Sequence, residues 1–137
     1  KEDILPIKES GQIKFVDADR NDATDNPYVK ELFPSFDLLM VNCHTVAMMI
    51  PHIAYKGHTL IYMADLIPSA NHIPIPWVIS YDTRPLLSMQ EKAPVLEAAA
   101  DKGSILYFEH DPVTECAVVE RTEKGVKLKE TLRLEDL

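Results

Sequence analysis

The run Phe36-Asp37-Leu38-Leu39-Met40-Val41-Asn42 is apolar at all but its second and last positions, the mark of a buried strand. Two more apolar runs follow, Val46 to Tyr55 and Thr59 to Ala64. Lys56-Gly57-His58 between them predicts a hairpin turn. Pro51 inside the first run implies a sheet edge or a bulge, because proline has no N–H to give the ladder. Leu66 to Pro85 is rich in proline and apolar residues without a clear period, so it reads as an ordered loop packed over the core. Ser88-Met89-Gln90-Glu91 has the form of a capping box, with Ser88 as N-cap and Glu91 at the third helical position. Met89, Ala93, Leu96 and Ala100 then share one helical face, and Gly103 supplies the stop. Pro94 should cost this helix a hydrogen bond and bend its first turns. Ser104 to Glu109 predicts a further strand. Cys116 to Arg121 and Val126 to Leu132 predict a second hairpin around Glu123-Lys124-Gly125.

The N-terminal part is less regular. Lys1 to Ile7 looks like the tail of a helix stopped by Pro6, which suggests an upstream portion. Gly11 to Val16 reads as a short strand after a turn, and Asp17 to Asn26 as a polar loop. Strands, one strong helix from about Ser88 to Lys102, then strands again exclude an all-α protein and a regular βαβ array. The expected class is α+β, a mixed sheet with one main helix.

Length and composition narrow this little. The 137 residues suit a single domain, and 46% hydrophobic residues suffice for a core. A net charge of -8 argues against nucleic acid and anionic membrane as partners. No stretch approaches the ~20 apolar residues that span a bilayer, and no signal peptide is visible, so a cytoplasmic location is expected. Cys43 and Cys116 make no disulfide framework and read as partly buried free thiols.

The chemistry lies in three short segments: Asn42-Cys43-His44-Thr45, Ala64-Asp65-Leu66 and Glu109-His110-Asp111-Pro112. His44, Asp65 and His110 each follow a predicted strand, and three strand ends can converge on one rim of a sheet. Imidazole and carboxylate suit zinc, iron and manganese, and a carboxylate can bridge two such ions. A widely spaced trio is a weak signal by itself, and the flanking residues strengthen it. Cys-His-Thr after an apolar strand, Tyr-Met-Ala-Asp-Leu from Tyr62, and Phe-Glu-His-Asp-Pro from Phe108 together resemble the metallo-β-lactamase superfamily of metal-dependent hydrolases, which includes glyoxalase II and the acyl-homoserine lactonases. The resemblance runs from about Ile4 onward and concerns the C-terminal half of that fold. The superfamily's first metal motif, His-x-His-x-Asp-His, is missing from these residues.

The resemblance implies half of a four-layer αββα sandwich and half of a dinuclear metal site. It implies His44 on one ion, His110 on the other and Asp65 bridging both. A metal-bridging hydroxide would then attack an ester, lactone or thioester. The implied cofactors are two divalent ions, zinc first, with manganese or iron as alternatives. The implied partners are a small-molecule substrate and either the missing N-terminal half or a second copy of the chain. Three origins for the missing half stay open: a half that was cut away, a chain made without it, or a gene for a half-protein that pairs. By itself the chain is expected to be inactive. A non-catalytic half-fold subunit or interaction module is the alternative.

Other residues add candidates. His72, shortly after Asp65, lines the substrate pocket or moves a proton, or else packs under the loop. Trp77, Tyr81 and Asp82 wall an apolar pocket or belong to the core. Asp111 orients His110 or caps the next turn. His52 and His58 read as ordinary imidazoles, Met48 and Met49 as core, and Cys43 as no ligand.

Overall fold

The computed structural model describes residues 4–16 and 28–137. Among them are seven strands: β1 (Tyr28–Phe33), β2 (Phe36–Val41), β3 (Met48–Tyr55), β4 (His58–Tyr62), β5 (Ile105–Tyr107), β6 (Cys116–Thr122) and β7 (Gly125–Leu132). They form one sheet whose spatial order follows the sequence. Every neighbouring pair is antiparallel except β4 and β5. Parallel neighbours require a long crossover, and the segment from Ala64 to Ser104, with helix α2 (Pro85–Lys102), supplies it. The result is the expected α+β arrangement, a mixed sheet with one main helix.

The helix and its loop close one face of the sheet. Val95, Leu96 and Ala99 of α2 share a core cluster with Ile61, Leu106, Ala117 and Val119 of the strands and Ile67 and Ile73 of the loop. The strand residues belong to one pleat face, since Ile61 pairs with Leu106 and Leu106 with Ala117. On the other face a row of paired residues, Ile53–Leu60–Ile105–Val118, crosses four strands. Leu60 and Ile105 are buried there, while Ile53, Tyr55, Tyr107, Val118 and Leu132 are only half-buried. This second face is apolar and incompletely covered by the described residues.

Several local expectations need correcting. The Ser88–Glu91 capping box does not form. The helix starts a turn earlier at Pro85, its N-cap Arg84 makes no side-chain cap bond, and Ser88 and Glu91 are buried in tertiary contacts. Proline is tolerated in a first turn because its missing N–H has no helical partner there. The same reason corrects Pro6. It sits in the first turn of α1 (Leu5–Glu9) and starts that helix rather than stopping it. Residues 12–16 are not strand, and the polar loop placed at Asp17 to Asn26 lies outside the described residues. Pro51 lies on an internal strand, paired with Leu38 of β2, but one residue beyond the last pair between β3 and β4. Met48 packs against the core, whereas Met49 is exposed. Strand β1 was not anticipated because its register is irregular and Glu31 has φ 52°, which breaks the two-residue alternation. Gly103 ends α2 at φ 62° as expected, and α2 continues unbroken through the exposed Pro94.

Candidate metal centre

Three chain segments deliver the site to one rim of the sheet. His44 lies three residues past β2. Asp65 sits in a short 3-10 turn (Ala64–Leu66) after β4, and His110 three residues past β5. Ala64 has φ 44°, a left-handed conformation that costs an L-residue ~1–3 kcal/mol and persists where surrounding structure fixes it. It is buried, and it sets the direction from which Asp65 leaves the backbone.

The Asp65 carboxylate stands between two imidazoles. Its Oδ2 is 3.4 Å from His44 Nε2, and its Oδ1 is 3.3 Å from His110 Nε2. The far nitrogen of His44, Nδ1, is 2.9 Å from Asp82 Oδ1. The Asp82 side chain is 2% exposed, and its other oxygen accepts from Ser88 Oγ at 2.8 Å and from the Ile79 N–H at 3.3 Å. A carboxylate only accepts, so His44 carries its hydrogen on Nδ1. The ring's other nitrogen, Nε2, then faces a carboxylate oxygen across 3.4 Å. A ring nitrogen and a carboxylate oxygen facing each other at that distance need a cation or a proton between them, and the donor set suits a divalent metal.

Tertiary contacts lock the pieces. Glu91 accepts the Asn42 N–H with both carboxylate oxygens, and the Asn42 side chain caps Ala47 N. Thr83 and Arg84 bond the carbonyls of Cys43 and His44. The His110 N–H donates to Pro68 O. Asp111 is the turn cap of the two roles considered for it: it accepts from Val113 and Thr114 N–H, and also from Ala70 N–H, tying the His110 loop to the Asp65 loop. Burial pushes the Asp111 carboxyl up, but these three donors outweigh it and leave it below the usual range.

Lys92 was overlooked in the sequence. It is 0% exposed, and its Nζ donates to the carbonyls of His72, Pro74 and Trp77 at 2.6, 3.0 and 2.8 Å. Burial pushes it down to about 8, while the three carbonyls favour the ammonium form. It pins the loop that runs from Asp65 to Asp82. That loop carries Trp77 and Tyr81 to the surface, 61% and 68% exposed, so neither is core. Tyr81 stands edge-on to His44 at 5.8 Å between ring centroids. Asp82, expected as pocket wall or core, has a buried side chain that orients His44. No sequence signal marks that role, because the contact joins residues 38 apart.

The remaining candidates separate from the trio. His72 bonds Ser69 Oγ through Nδ1 at 2.8 Å, and burial and then Lys92 hold it below its ordinary value. Cys43 is fully buried, and burial, then Glu91, pushes its thiol up to about 12. A thiol held in its protonated form is a poor ligand. Among the described residues, no group of three or more His, Cys, Asp or Glu side chains is gathered closely enough to hold a metal ion by itself. The trio is joined only through the shared Asp65 carboxylate.

No family model matches the chain, and no curated protein matches it in sequence. Solved structures do match its shape. One is AidC, a dizinc quorum-quenching lactonase in complex with a product, at TM-score 0.69 and 23% identity, covering 96% of this chain and 42% of that one. Another is the hydrolase AbOPH of the beta-lactamase superfamily, at TM-score 0.71 and 15% identity, covering 95% and 42%. A third is a probable metal-dependent hydrolase from Staphylococcus aureus, at TM-score 0.60 and 24% identity, covering 75% and 38%. The chain therefore has the fold of the metallo-β-lactamase hydrolases. It spans about two-fifths of the length of these structures.

Proposed function

We propose that residues 1–137 are the C-terminal half of a dinuclear metal-dependent hydrolase of the ester, lactone or thioester class. One observation carries the reading: the two oxygens of Asp65 each face the Nε2 of a different histidine, 3.4 and 3.3 Å away. That is the donor arrangement a bridging carboxylate needs. His44 would hold one ion, His110 the other and Asp65 both, with zinc the ion that best suits these ligands and manganese or iron as alternatives. When bound, the two ions supply an activated water and neutralise the charge that develops on a carbonyl oxygen. Among this chain's own residues, Asp82 and Ser88 hold the His44 ring in one tautomer. Tyr81, edge-on to His44, would offer an aromatic wall to an acyl group. His72 stands on the same loop as a proton carrier.

Three protein ligands cannot hold two ions against water, since even a single structural zinc normally takes four. The remaining ligands belong to the other half, whose sheet would cover the apolar row Ile53–Leu60–Ile105–Val118. A second copy of the chain is the other candidate cover. The test is to assay the intact protein, carrying both motifs, with generic lactone and ester substrates, with and without a chelator and with metal analysis. Chelator-sensitive turnover by the intact protein and none by this chain alone is the expected result. An intact protein with no metal dependence would overturn the reading. A non-catalytic pairing subunit is the second reading, favoured by the incomplete cage and the half-covered face. A partner chain without His-x-His-x-Asp-His would support it.

A further inference from the structure

Lys92 occupies a place where an apolar residue is ordinary. Its neighbours on the buried side of α2, Val95, Leu96 and Ala99, belong to the core cluster. An ammonium group taken out of water is costly there. Its three hydrogens go one each to the carbonyls of His72, Pro74 and Trp77. Those residues lie in a stretch with neither strand nor α-helix, where no ladder supplies donors for buried carbonyls.

The clasp sits between two other anchors of the same loop. On one side the Ala70 N–H is held by Asp111. On the other, Asp82 closes a turn on Ile79: its carboxylate accepts the Ile79 N–H, and its own N–H returns to Ile79 O at 3.1 Å. Among the described hydrogen bonds, every polar tie from residues 72–77 to α2 runs through Lys92. Lys92 also acts on Asp82 through charge. Burial opposes its ammonium form, and the Asp82 carboxylate supports it. The Asp82 side chain is 2% exposed, so two opposite charges attract through a medium that screens them weakly. The carboxylate that accepts from His44 Nδ1 thus has a buried positive charge near it.

We propose that Lys92 is a positioning residue of the metal rim. It binds residues 72–77 to α2, places a positive charge near Asp82, and so keeps Asp82 seated against His44. Its consequence for catalysis rests on the hydrolase reading above; its effect on His44 does not.

A lysine that merely fills the core could be replaced by an apolar residue of similar length, often without loss of stability. Lys92→Met and Lys92→Arg therefore separate the two roles. The full chain is studied at pH 7 with a chelator present, by denaturant titration and by long-range proton–nitrogen NMR of the imidazoles. Wild-type His44 should carry its hydrogen on Nδ1 alone. Lys92→Met should keep a stability at pH 7 close to that of the wild type, yet show His44 averaged between its two tautomers. Lys92→Arg, which keeps both charge and donors, should restore the wild-type pattern. In the intact protein, Lys92→Met should lower zinc affinity about tenfold, the lower end of the range for a residue that orients a ligand. If Lys92→Met does not fold, Lys92→Gln, which keeps two donors without the charge, replaces it in the comparison with Lys92→Arg. A His44 pattern unchanged in Lys92→Met or Lys92→Gln, or lost equally in Lys92→Arg, would overturn the proposal and leave the hydrolase reading standing. An intact protein that binds no zinc would overturn the hydrolase reading instead, with the His44 comparison still deciding the role of Lys92.

Discussion

His44 and His52 are built alike and placed in opposite surroundings. Each gives its Nδ1 hydrogen to an oxygen tied to a carboxylate, Asp82 directly for His44 and Asp37 through Tyr28 for His52. In each, Nε2 is the nitrogen left to face something else. The His44 nitrogen faces the Asp65 carboxylate, which a second histidine shares. The His52 nitrogen is shut off from solvent and has no hydrogen-bond partner among the described residues. The first environment is anionic and calls for a cation. The second is closed and leaves the nitrogen without a polar neighbour among the described residues. The same side chain in the same tautomer thus acquires different chemistry from what stands opposite its free nitrogen.

The largest test of this contrast is Asp65→Ala in the intact protein. It should remove metal-dependent turnover, by more than the ~100-fold upper range for losing a residue that merely orients a ligand, while His52 resonances stay in place. Asp82→Asn should lower metal affinity or activity by ~10–100-fold, read by metal titration, because the amide no longer enforces the Nδ1–H tautomer of His44. Ser88 gives that variant's other atom a partner, so the fold should survive, as circular dichroism would report.

Lys92→Met sharpens the comparison through stability. The folded-state value of Lys92 is about 8, below its ordinary 10.5, so between those values the unfolded chain binds more protons than the native one. Its contribution to stability therefore rises with pH above about 8 and is lost as pH falls through that value. Over pH 7 to 9.5 the wild type should gain up to about 2 kcal/mol relative to Lys92→Met in denaturant titrations. The comparison with the variant is essential. Above pH 9, Cys43 and Cys116, raised by burial to about 12 and 11, pull stability the other way in both proteins. A flat difference would show that the three carbonyls hold Lys92 charged throughout. The smallest effect is expected from Tyr28→Phe, about 1 kcal/mol for the lost hydroxyl bonds. Metal binding at the rim should be unchanged.

Local pattern made much of the fold readable. The predicted strand runs became β2 to β7, Gly103 ended α2, and the hairpin turns fell where glycine was placed. The trio could be named because strand ends and short motifs are local. What escaped was non-local. Ser88 and Glu91 have the spacing of a capping box, and a local rule assigns them to their own helix end. They turn instead toward the buried Asp82 carboxylate and the half-buried Asn42 N–H, which need a partner more than the exposed helix start does. Tyr28 escaped because Glu31 at positive φ interrupts the alternation of β1. Lys92 escaped because nothing in a helical sequence says that a lysine will point at three loop carbonyls.

The sequence by itself determined the class of fold, the main helix and the places of His44, Asp65 and His110 at three strand ends, since periodicity and turn chemistry act over a few residues. Tertiary structure alone decided which nitrogen of each histidine is free and what it faces. It also decided that Asp82, 38 residues away, fixes one of them. Those outcomes depend on hydrogen bonds between residues far apart in the chain, and such bonds are settled only when the sheet, the loop and α2 pack together and every buried polar group must find a partner.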